Sequence, residues 1–132
     1  MTGESFSEEE GLISDPRLAE AIRLFNAGDW YACHDGFEEL WHEHGDPVRP
    51  LLQGLLQLAV AHLHLERGNL RGATILLGEG LGRLKRSSGC SIGLDLRVTI
   101  DCCRSRLLLL QAGEDPSQLP KPRLMPVSHR TP

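Results

Sequence analysis

The chain has 132 residues, 40% of them hydrophobic and 24% charged, with a formal net charge of −4. That length suits one domain with a single core, and that balance excludes both wholesale disorder and a membrane protein. The acidic excess argues against a nucleic-acid surface, since the densest basic cluster, Arg83, Lys85 and Arg86, has no interleaved aromatics.

The first 13 residues are polar, acidic and aperiodic, and they are read as a flexible arm. They lack the basic start and apolar core of a secretory signal, so a cytoplasmic protein is expected. A helical domain spans 14–113. Its first helix opens with Asp15 as cap and Pro16 in the first turn, repeats Leu18, Ile22 and Phe25 on one face, and stops at Gly28. Asp29 then caps a second helix that carries Trp30, Phe37 and Trp41 and ends near Gly45. Asp46 and Pro47 repeat the same opening, and Pro50 is tolerated because a first-turn residue donates no intrahelical hydrogen bond.

The third helix is apolar nearly all round from Leu51 to Leu65, the pattern of a helix surrounded by others. It is shorter than the roughly 20 residues a bilayer needs, and Gln53, Gln57, His62 and His64 interrupt it, so no membrane span is expected. Gly68 ends it and Asn69 caps a fourth helix, which runs to the loop at Ser87, Ser88 and Gly89. Glycines at 72, 78, 80 and 82 weaken that fourth helix by about 1 kcal/mol each relative to alanine. A neighbouring helix closing over the Gly78/Gly82 face would compensate, whereas a phosphate-binding glycine loop would need a preceding strand that is absent. A fifth helix covers Leu94 to Gln111, and residues 114–132 form a proline-rich tail, either an extended strap or a free end, with a solvated tail favoured over a partner-binding motif.

The expected fold is therefore all-α, a compact bundle of about five helices built from antiparallel hairpins. The turns at 25–30 and 66–70 echo each other as a glycine followed by a capping residue, as in tetratricopeptide-like hairpins, but two hairpins make no solenoid. Residues 1–46 carry 12 acidic against 2 basic side chains, and residues 47–132 carry 6 against 12. Such asymmetry suits attraction between helices or assembly into a homo-oligomer. Cys33, Cys90, Cys102 and Cys103 show neither CxxC nor zinc-like spacing, and no disulfide is assigned.

Chemistry is concentrated in the second and third helices. His34, Glu38 and Trp41 follow one another at i, i+4 and i+7 and share a face beside the apolar Trp30 and Phe37. On the third helix Gln53, Gln57 and His64 fall within one narrow stripe. Two polar stripes on consecutive helices are expected to meet as a pocket of His34, Glu38, Gln57 and His64 closed by Trp41. His34, Glu38 and His64 would then offer a divalent metal two nitrogens and one oxygen, or the pocket with Trp41, Gln53 and Gln57 would take a small polar ligand; alternatively the same side chains form a purely structural hydrogen-bond network within an interaction module or homo-oligomer. The Glu39 to His42 stretch spells the Glu-x-x-His of di-iron bundles, but no second copy exists. His62 lies well around the helix from His64 and is read as a packed or half-exposed histidine outside the site.

The string Leu24-Phe25-Asn26, Gly28, Trp30-Tyr31, His34-Asp35, Glu38, Trp41, followed by Leu52-Gln53-Gly54-Leu55, Gln57, Ala59, His64, Gly68-Asn69 and Gly72-Ala73, resembles the domain of unknown function family 309. The resemblance covers roughly residues 17–85. It implies a compact all-helical fold and no established activity. It also implies that the positions of His34, Glu38, Trp41, Gln53, Gln57, His64, Gly68 and Asn69 belong to the family pattern. Two departures stand out, because that pattern commonly carries Glu at the position of Asp35 and a basic residue at that of His42.

Overall fold

The acidic run near the N-terminus does not stay in solvent. In the computed structural model, which describes residues 7–87 and 91–127, Ser7–Ile13 forms a short helix, α1. The flexible arm expected over residues 1–13 is thereby corrected for residues 7–13. One apolar side chain and two carboxylates account for the difference. Leu12 is fully buried. Glu8 Oε1 lies 2.9 Å from His44 Nδ1 and accepts the Gly45 N–H, while Glu9 Oε2 accepts the backbone N–H groups of Ser91 and Ile92. The His44 contact holds the Glu8 carboxyl below its ordinary range.

Five longer helices follow: α2 (Pro16–Ala27), α3 (Trp30–Glu43), α4 (Val48–Glu66), α5 (Leu70–Arg86) and α6 (Leu96–Gln111), then a 3-10 turn at Pro116–Gln118. Several boundaries come from the residues that sequence logic selects. Asp15 accepts the Arg17 N–H at 2.9 Å, Asn69 accepts the Gly72 N–H at 2.9 Å, and Gly28 ends α2 in the left-handed region at φ 76°. Asp29 and Asp46 behave differently. Asp29 sits at the N-cap of α3 without a side-chain bond, and α4 begins at Val48 with Pro47 as its cap residue.

The fold is all-α. Among the described residues there is no strand, only an isolated antiparallel bridge between Leu94 and Pro126. Helix α4 is the central element: α3 and α5 flank it, and ten of its residues are buried. Among the described residues no helix is long and apolar enough to cross a membrane.

Where α5 meets α4 the backbones nearly touch. A Cβ on Gly80 would lie 3.0 Å from the Gly54 carbonyl oxygen, and one on Gly54 would lie 3.2 Å from that of Gly80. The close approach expected over Gly78 and Gly82 is thus corrected to Gly54 and Gly80. A Cβ on Gly78 would make only an ordinary contact with Leu107, and one on Gly82 would meet only Arg86 of its own helix. Gly78, Gly80 and Gly82 belong to one short glycine-rich stretch, and helical rotation turns Gly80 to the core and Gly78 and Gly82 away from it.

The tail is a strap through Val127, not a free end. Leu124 is 1% exposed, and its N–H and C=O both bond to the side-chain amide of Asn26 on α2. Thr99 donates to the Arg123 carbonyl, and Arg106 donates to those of Leu119 and Pro120. Proline-rich chain forms no ladder of its own, so the carbonyls of Leu119, Pro120, Arg123 and Leu124 are met by side chains of the bundle, while Met125 accepts the Asp95 backbone N–H. Residues 88–90 of the expected loop, including Cys90, and residues 128–132 lie outside the described residues. Cys33, Cys102 and Cys103 are free thiols, and burial pushes the Cys103 thiol up to about 12.

Candidate metal site on the third helix

Helix α3 turns Trp30, Cys33, Phe37 and Leu40 into the core. His34, Glu38 and Trp41 follow those positions by one residue and so line the flank of the buried stripe, half-buried rather than inward. The His34 imidazole lies between two carboxylates. Nδ1 is 3.2 Å from Asp35 Oδ1, and Nε2 is 3.6 Å from Glu38 Oε1. The other oxygen of Glu38 is 4.0 Å from His42 Nε2. One ligand atom from each of His34, Asp35 and Glu38 lies within 4.8 Å of the others, the one such grouping able to hold a metal ion among the described residues.

The stripe on α4 points elsewhere. Gln57 Nε2 donates to Glu79 Oε1 at 3.1 Å, and Gln57 Oε1 accepts from Arg83 Nε at 3.0 Å, both on α5. His64 Nδ1 is 3.1 Å from Asn69 Nδ2 in the α4–α5 turn. Gln53 is half-buried on the same face. The four-residue pocket expected from His34, Glu38, Gln57 and His64 therefore does not form as one unit. The reason is the Gly54–Gly80 contact: it draws α5 over the polar stripe of α4, whose amides then satisfy α5 and not α3. His64 is correspondingly absent from the grouping of metal-capable atoms.

Trp41 does not close a pocket either. Arg49 stacks on its ring at 4.0 Å and donates to its carbonyl oxygen, while its indole N–H is buried without a partner. A cation over an indole face is favourable by itself, which makes this contact a clasp between the end of α3 and the start of α4.

The histidine that meets α3 across the core is His62, half a helical turn from Gln53. It is 2% exposed and stacks on Trp30 with ring centroids 4.8 Å apart. Its Nδ1 lies 2.7 Å from the Leu58 carbonyl oxygen, so that nitrogen carries the proton, and Nε2 is buried with no partner. Burial, opposed only by the Leu58 bond, lowers its pKa to about 4. The reading of His62 as a packed histidine agrees with this burial. Its orphaned nitrogen had no signal in sequence, because spacing reports which face a residue occupies and not what that face lacks.

Residues 18–76, from α2 into the first half of α5, match the family described as Domain of unknown function (DUF309). The match spans His34, Glu38, Trp41, Gln53, Gln57 and His64 and stops before α6 and the tail. No curated protein matches the chain.

Proposed function

We propose that this chain, an all-helical protein resembling DUF309 proteins over its first three long helices, binds a divalent transition-metal ion through His34 Nε2 and the Glu38 carboxylate. The supporting observation is the 3.6 Å between those two atoms. That separation is longer than a hydrogen bond. It is close to the spacing of two ligands held by one tetrahedral ion, about 3.4 Å for metal–ligand distances of about 2.1 Å. Asp35, 3.2 Å from Nδ1, electrostatically favours a proton on that nitrogen and leaves Nε2 bare toward Glu38. Asp35 thus acts by orienting the imidazole. Two protein ligands on a half-exposed flank leave positions for water, the arrangement of an exchangeable rather than a closed structural site.

Calorimetric titration of untagged protein with zinc, nickel and manganese tests this reading. Zinc or nickel binds with one site per chain, His34→Ala and Glu38→Ala each abolish it, and Asp35→Asn weakens it about tenfold or more. His64→Ala leaves it unchanged. Absence of binding, or binding that survives the loss of both His34 and Glu38, defeats the proposal and leaves these residues as ordinary surface ion pairs.

A further inference from the structure

A cavity of about 440 Å³ opens where the α4–α5 turn, α6 and the tail strap converge, and it is separate from the His34 cluster. Trp30 and His62 line it with stacked rings, Arg106 and Lys121 line it with positive charge, and the exposed side chains of Glu66 and Asp115 add two carboxylates to the lining. His62, Arg106 and Lys121 each lack a partner of matching chemistry. His62 Nε2 is a buried acceptor with no donor, and the imidazole cannot supply its own proton, since burial and the two nearby cations keep it neutral. Arg106 is 4% exposed, and its three hydrogen bonds, from Nε and Nη2, all go to uncharged carbonyls of the strap. Among the described residues neither Arg106 nor Lys121 forms an ion pair. Asp115 at the rim feels the charge of Arg106 but is exposed and spends an oxygen on the Ser117 N–H.

We propose that this cavity binds a small organic carboxylate bearing an adjacent hydroxyl group and an apolar body. The hydroxyl donates to His62 Nε2, the carboxylate faces Arg106 and Lys121, and the apolar body lies along Trp30. Two cations beside the imidazole disfavour a third, so a hydroxyl suits the position better than an ammonium group. The cavity has the size and the mix of apolar wall and few convergent polar groups of a small-molecule site. Arg106, with Thr99, also ties the strap to α6, so occupancy and closure of the strap reinforce each other.

Titration of the full chain with mandelate, phenylacetate and mandelamide at up to millimolar concentration tests each contact. Trp30 fluorescence in a Trp41→Phe background and the 15N shift of His62 Nε2 report binding. Mandelate is expected to bind about tenfold more tightly than phenylacetate, which lacks the hydroxyl, and than mandelamide, which lacks the charge. Lys121→Gln weakens mandelate and leaves mandelamide unaffected. His62→Phe, which preserves the stacking on Trp30 and removes the orphaned nitrogen, erases the preference for mandelate over phenylacetate in a chain whose circular dichroism is unchanged. No binding by mandelate, equal binding by all three compounds, or a preference that survives His62→Phe overturns the proposal.

Discussion

His62 takes up a proton in the unfolded chain below its ordinary pKa of 6.5 and refuses it in the folded chain until about pH 4. The folded value is depressed, so the unfolded state binds more protons in that window and stability falls as pH falls through it. The gap corresponds to about 3 kcal/mol, fully present above pH 6.5 and lost progressively toward pH 4. Urea unfolding at intervals between pH 7 and pH 4 should show this slope. His62→Phe should flatten it while leaving stability at pH 7 equal or higher, because a buried acceptor without a donor is removed. An unaltered slope in that variant would assign the acid sensitivity to carboxylates. Asp15, held down to about 2 by the Arg17 guanidinium, acts only below this window.

Helices were largely legible in the residue order, and their neighbours were not. Asp15, Gly28 and Asn69 mark ends because capping and left-handed turns are local chemistry, decided within four residues. Gln53, Gln57 and His64 were correctly readable as one face of α4, since that is arithmetic on 3.6 residues per turn. Which helix that face meets depends on a contact between Gly54 and Gly80, 26 positions apart, and no local pattern carries it. The same limit hid α1. Its acidic composition matches a solvated arm until His44 and the Ser91–Ile92 backbone are brought alongside. The glycines of α5 give a contrast that tests this packing. Gly78→Ala should stabilise the chain by up to about 1 kcal/mol, as helix propensity alone dictates. Gly80→Ala should destabilise it by about 1–3 kcal/mol, since its new methyl group meets the Gly54 carbonyl oxygen at 3.0 Å. Chemical denaturation of both variants measures the difference, and equal effects would contradict the observed approach.

For the molecule as a whole, the strap joins the first long helix to the last. Asn26 and Leu124 exchange two hydrogen bonds across 98 positions, at 2.9 and 2.7 Å. Asn26→Ala leaves both backbone groups of a buried residue without partners and should cost about 1–3 kcal/mol. Hydrogen exchange should quicken at the Leu124 amide far more than along α4. Uniform quickening along the chain would mean that the strap and the bundle open together.

Synthesis proceeds from α1 toward the strap, so the bundle is translated before the segment that fastens it. Until Leu119 to Leu124 emerge from the ribosome, Arg106 has no carbonyls to meet and Asn26 no backbone to grip. A chain ending near Gly113 would leave that charge unsatisfied and that helix flank bare, so the bundle's last two contacts depend on a segment outside every long helix.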